Sequence, residues 1–135
     1  MPYSQSWLIE GAVALVIYSG NVTLSDVEQS ADELLIRLHN SPRGIIHIMH
    51  DLGGVENYPT NVQQINRITR PLLSHKKVGW FVLYGQENPM MRFLITMIAQ
   101  LARVQSRGFE NYESAREFLQ NIDADLPDLP HDGHV

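Results

Sequence analysis

A chain of 135 residues with 44% hydrophobic content has the size of one domain and enough apolar side chains to bury a core without outside staples. It contains no cysteine, which excludes a disulfide framework, a thiolate nucleophile and a cysteine zinc site, and fits a reducing compartment such as the cytoplasm. Of the net charge of -5, Asp123, Asp125, Asp128 and Asp132 contribute most, so the body is nearly neutral and lacks the basic stripe that nucleic-acid binding requires.

The N-terminal residues show no basic region leading into an apolar run. The longest apolar stretch, residues 12–18, falls far short of the roughly 20 residues of a membrane span, so a cytoplasmic protein without a membrane span is expected. Residues 7–9 and 12–18 are apolar or β-branched and are joined by Glu10 and Gly11, which predicts an antiparallel hairpin ending at Gly20 and Asn21. Thr23 precedes Asp26 by three residues, an acidic capping box at a helix start. Val27, Ala31, Leu34, Leu35 and Leu38 then recur at helical spacing as a core face, and Asn40, Ser41 and Pro42 stop the helix.

Residues 44–49 form an apolar run broken only by His47, the pattern of a covered strand, ending at Asp51. A loop over residues 52–59 carries Gly53 and Gly54, explained as a tight turn. Thr60 is expected to cap a second helix with Val62, Ile65, Ile68 and Leu72 on one face, and Pro71 should kink or split it. Residues 78–84 make another buried strand. Gly85 leads to a third helix with Asn88 as cap and Pro89 in its first position. A short strand over 105–109 and a last helix from Asn111, with Ala115, Phe118, Leu119 and Ile122 on one face, complete a single domain over residues 1–122. Residues 123–135, acidic and containing Pro127, Pro130 and Gly133, are expected to be a mobile tail. The alternation predicts an α/β domain: a mixed, mostly parallel sheet with an opening antiparallel hairpin, right-handed crossovers and four helices.

Two stretches add a family likeness to this order. Asp51-Leu52-Gly53-Gly54-Val55 is similar to the Asp-Leu-Ser-Gly-Val type sequence that ends a buried strand in STAS domains, the anti-sigma-factor antagonists (SpoIIAA-like proteins). Without a gap, Thr60 then falls where that family carries its phosphorylatable serine. Residues 109–119, from Phe109 to Leu119, also look like the closing strand and helix of STAS relatives, so the resemblance covers most of residues 7–122. It implies a STAS-like fold, a regulatory role and a phosphoacceptor at Thr60. Pro59 stands where the family has Asp, and Asn61-Val62 where it has Ser-Gly. A hydroxyl at a helix start also has an ordinary use as a cap, although a phosphate there would meet free amides and the positive end of the helix dipole.

The third helix is more apolar than one sheet-facing side requires, with Met90, Met91, Phe93, Leu94, Ile95, Met97, Ile98, Leu101 and Ala102 leaving a narrow polar stripe of Arg92, Thr96, Gln100 and Arg103. The excess covers a partner groove, a lipid pocket or a dimer contact, or is itself covered by neighbouring helices and the tail. His47, His50 and Asp51 suggest a metal, yet side chains alternate along a strand, so His50 points away from the other two, which lie about 13 Å apart. No metal is expected there, and His131 and His134 lie in the tail without a fixed shell. No Gly-x-Ser-x-Gly elbow and no phosphate-binding glycine fingerprint occur, and nothing in the spacing makes Asp51 and Glu56 converge as an acid/base pair. These observations predict a non-catalytic regulatory or protein-interaction domain without a cofactor. It would act through Asp51, Gly53, Gly54, Glu56 and Tyr58 and the surface of Met90, Met91, Phe93, Leu94, Met97 and Ile98, with homodimerisation an open alternative. The competing reading is a carrier or sensor of an apolar small molecule or lipid.

Overall fold

Strand β1 (Tyr3–Ile9) and strand β2 (Val13–Asn21) form the antiparallel hairpin. β1 begins earlier than its apolar residues suggest because its polar side chains have work to do on the first helix, α1 (Leu24–Asn40). The Tyr3 hydroxyl donates to Glu33 (2.7 Å), Gln5 donates to the Ser30 carbonyl (2.7 Å), and the Arg37 guanidinium lies over the Trp7 ring. The capping box of Thr23 and Asp26 starts α1, with both reciprocal bonds made, and Val27, Ala31, Leu34 and Leu38 are buried. The computed structural model describes residues 2–131.

Strand β3 (Ile46–Asn57), helix α2 (Val62–Leu73), strand β4 (Val78–Tyr84), helix α3 (Pro89–Ala102), strand β5 (Gln105–Phe109) and helix α4 (Tyr112–Ile122) follow in turn. The five strands lie side by side in chain order, β2 through β5 parallel. With an unbroken order, crossovers of one hand all pass over the same side of the sheet. Accordingly α1, α2 and α3 pack on one face, where their side chains join Val16, Ile48 and Leu83 in one core, while α4 lies on the other with Val13, Met49 and Val82.

Three local expectations are corrected. The segment after Asp51 is strand, not loop: β3 continues to Asn57 because its partner β2 also runs on, pairing Ser19 with Gly54 and Asn21 with Asn57. The two glycines therefore lie in a bulged stretch of sheet, where the Gly85 backbone, at φ +86°, comes against Gly53 so closely that a Cβ on Gly85 would sit 3.0 Å from the Gly53 nitrogen. The cap of α2 is Asn61, whose side chain accepts from the Gln64 amide (3.1 Å), and not Thr60. Pro71 does not split α2, because it falls in the last turn and the helix ends at Leu73.

The expected mobile tail from residue 123 does not describe residues 123–131. Leu126 and Leu129 are buried in the core beneath α4, Leu129 to 1% exposure. Side chains of α4 take up the backbone of this segment: Arg116 donates to the Leu129 carbonyl (2.9 Å), Gln120 to the Pro127 carbonyl (3.3 Å), and the Tyr112 hydroxyl to the Pro130 carbonyl. The physical reason is coverage. α4 packs on β4 and β5, and the apolar side chains of β2 and β3 on the same face need a further layer. Asp132, Gly133 and His134 lie outside the described residues.

Candidate functional site

Alternation along β3 sends His47 and His50 to opposite faces. On the α4 face, the Trp80 amide donates to His47 Nδ1 (3.0 Å), so the network assigns the ring proton to Nε2, which donates to Asp123 Oδ2 (2.9 Å). The hydrogen bond from His47 is the main reason the Asp123 carboxyl is held below its ordinary range. Gly79 makes room for this arrangement, since a Cβ there would lie 2.6 Å from His47 Nδ1 and 2.7 Å from Ile45 Cγ2. Both nitrogens of His47 are thus committed to structure, and they join the strand pair to the chain segment that leaves α4.

His50 stands on the other face with 5% exposure. Its ring stacks nearly parallel on Tyr18 (centroids 5.8 Å apart) and tilts against Phe81 (4.3 Å). Its Nδ1 has no hydrogen-bond partner in the protein, and burial pushes its pKa down to about 3. Unpaired buried polar atoms are uncommon and costly, on the order of 1–3 kcal/mol. Other parts of the His50 side chain help to line a small cavity of about 50 Å³ between the sheet and α1, α2 and α3. The walls are mainly aliphatic, with Leu34, Ile65, Leu72 and Ile98 among them, and the polar groups are Tyr18, Ser30, His50, Tyr58 and Thr69. Burial raises the Tyr18 hydroxyl to about 12 and raises that of Tyr58 as well.

Beside this cavity a larger groove of about 460 Å³ runs between α3 and β5, within the roughly 300–1,000 Å³ of small-molecule sites. Leu52, Leu83, Ile95, Ala99 and Val104 line both spaces, so they form the partition between groove and cavity. The outer groove carries Arg92, Thr96, Gln100 and Glu110. It lies by Tyr84 and Gln86, past the carboxyl end of β4, the end of a parallel sheet where ligands usually bind.

Of the residues singled out in the stretch after the buried strand, Tyr58 lines the cavity, whereas Gly53, Gly54, Glu56 and Thr60 are exposed. Asp51 turns to its own strand, its Oδ1 accepting from the Gly53 amide (3.0 Å). On α3, Ile98 reaches the cavity and Leu94 is buried; Met91 and Met97 are partly exposed. Met90 and Phe93 face outward at 64% and 59% exposure, with Leu101 on the same side. Sequence reasoning missed Tyr18, Phe81 and the groove residues. The available signal was the alternation that separates His50 from His47; which helices would roof His50 was not readable. Among the described residues no three His, Asp or Glu side chains gather as a metal site, and no helix is long and apolar enough to cross a membrane.

No family model matches this chain, and no curated protein matches it. A solved structure from Shewanella loihica PV-4, described as an uncharacterized protein from the DUF3478 family with a SpoIIAA-like fold, matches with a TM-score of 0.58. The match covers 79% of this chain and 83% of that one, at 16% sequence identity. At that identity the likeness carries the fold, and the expected fold holds: this is a SpoIIAA-like α/β domain with a five-stranded mixed sheet.

Proposed function

We propose that this SpoIIAA-like domain is a non-catalytic binder of an apolar small molecule, held in the groove between α3 and β5. One observation carries the reading: a groove of about 460 Å³, walled in part by Leu52, Leu83, Ile95, Ala99 and Val104, lies past the carboxyl end of β4. The inner side of α3 lines the groove while its outer side exposes Met90 and Phe93, so occupancy can be sensed on the surface through this one helix.

The test uses 1-aminoanthracene, an uncharged apolar fluorophore, titrated into the purified protein. Gly108 lines the groove, and a Cβ there meets nothing within 4 Å, so Gly108→Phe fills the groove without a clash at its root. The expected result is a fluorescence rise that Gly108→Phe weakens at least tenfold and Phe93→Ser leaves unchanged. Equal binding to wild type and Gly108→Phe would refute the groove.

A second reading, a regulatory domain that docks a protein partner, is supported by the outward stripe of Met90, Phe93 and Leu101, which stays exposed among the described residues. A second copy of the chain is the simplest occupant to test. Sedimentation of wild type and Phe93→Ser over a concentration series separates the cases, and a wild type that stays monomeric at all concentrations counts against self-docking.

A further inference from the structure

We infer that the free edge of β5 is where a second copy of this chain docks. The two β5 strands would pair antiparallel across a twofold axis centred on Gly108 and join two five-stranded sheets into one. This goes beyond the binding reading above and stands without it. β5 is the last strand of the sheet and, among the described residues, pairs with β4 alone, in unbroken register from Gln105 to Phe109. Edge strands that must not pair usually carry Pro, Lys or a bulge. The strand at the opposite edge, β1, has its register shifted between Trp7 and Ile9; β5 has none of these devices. Its backbone is also set for pairing. The Phe109 carbonyl accepts from the Gly85 amide (3.3 Å). Successive residues of a strand turn their amides and carbonyls to alternate sides, so those of Ser106 and Gly108 point away from β4 and out of the sheet.

Charge chooses the register. A twofold axis perpendicular to the sheet keeps each side chain on its own face, so odd positions meet odd and even meet even. Arg107 and Phe109 lie on the α4 face, where the Arg107 guanidinium stands 5.5 Å from the Phe109 ring and 5.1 Å from that of Phe118. An axis through Arg107 would set two guanidiniums directly opposite, which destabilises a strand pair. One through Ser106 leaves Phe109 unpaired, since its counterpart, Arg103, belongs to the end of α3. An axis through Gly108 sets Arg107 of each copy against Phe109 of the other, a cation beside a ring. On the α3 face it sets Ser106 against Glu110, a hydroxyl able to donate to a carboxylate. Gly108 then faces itself, its amide and carbonyl exchanged between the copies, with open space where a Cβ would stand. Ser106 and Gly108 also line the groove, so the second copy's strand extends the groove's floor past β5.

The chain contains no cysteine, so single cysteine substitutions report contacts between copies without background. Gly108→Cys should give a disulfide-linked dimer under mild oxidation. Opposed Cα atoms of a hydrogen-bonded antiparallel pair lie about 5.5 Å apart, within the ~4.4–6.8 Å that a disulfide spans. Gln105→Cys, roughly 20 Å from its counterpart in this register, should stay unlinked on a non-reducing gel. Sedimentation of the wild type should show a monomer–dimer equilibrium. Ser106→Pro removes an outward amide, a change that an edge strand tolerates. It should abolish the dimer with an unchanged far-UV circular dichroism spectrum, whereas Phe93→Ser should leave the dimer intact. A wild type that stays monomeric over the whole concentration series overturns the inference. So does equal cross-linking of both cysteine variants, or a dimer lost in Phe93→Ser and kept in Ser106→Pro. If Ser106→Pro does not fold, the two cysteine variants decide. Each of these failures leaves the small-molecule reading standing, because the dye's response to Gly108→Phe is read separately.

Discussion

His47 and His50 sit three positions apart on one strand and have opposite fates. His47 is tied at both nitrogens, to the Trp80 amide and to Asp123, and Gly79 is small so that this can happen. Gly79→Ala should cost about 1–3 kcal/mol, the usual range for overpacking a tight site, read as a lower urea midpoint with an unchanged slope. His50 is buried, and burial lowers its pKa from the ordinary histidine value of 6.5 to about 3. Below pH 6.5 the unfolded chain takes up a proton that the folded chain refuses. Its contribution to stability is therefore complete above that pH and is lost progressively as the pH falls toward 3. His50→Leu should flatten the loss between pH 6 and pH 4 by about 1.4 kcal/mol per pH unit, one proton's worth. Denaturation midpoints across that interval measure it, and parallel pH profiles for both proteins would contradict the assignment. Asp123 acts lower: its depressed carboxyl stabilises the fold above its unfolded value of 3.8 and ceases to do so as the pH drops through its folded value.

At the scale of elements, the segment after α4 and the helix α3 show how composition and coverage compete. Residues 123–131 are rich in Asp and Pro, the composition of a chain that stays in solvent. Two leucines three apart, together with hydrogen bonds from Arg116 and Gln120, suffice to lay the segment on the sheet. Leu129→Ala should cost about 2–4 kcal/mol, as for other fully buried leucines. Amide exchange at Leu129, whose N–H donates to the Gln120 side chain, should be slow in the wild type and approach the rate of an open chain in that variant. Unchanged stability would mean the segment does not belong to the core. The composition of α3 was a better guide. A helix with so little polar surface cannot hide all its apolar side chains against one sheet, and Met90, Phe93 and Leu101 do remain in solvent.

Over the whole molecule, the unbroken strand order is what creates the candidate site. Placing α1, α2 and α3 on one face leaves α3 over the sheet's edge strand β5, and the space between them is the groove. A ligand that fills it binds the folded state alone. At a hundredfold excess over its Kd it should therefore stabilise the protein by ~2.7 kcal/mol, measurable as a rise in Tm that Gly108→Phe removes.

Local chemistry was legible in the chain. The capping box at Thr23, the Asn88-Pro89 helix start, the strand over residues 78–84 and the closing helix from Asn111 depend on neighbours within a few positions, and they stand where expected. The parity that parts His47 from His50 was legible for the same reason. What a residue meets across the fold was not. That β3 runs on past its glycines depends on the length of β2. That Asn61 rather than Thr60 caps α2 depends on where the chain bends back. That the acidic segment is buried depends on which half of a sheet face α4 leaves bare. The candidate site belongs to this second class, because a cavity is the space that elements distant in sequence leave between them. Periodicity says which way a side chain points; only the packing of three helices on five strands decides what it finds there.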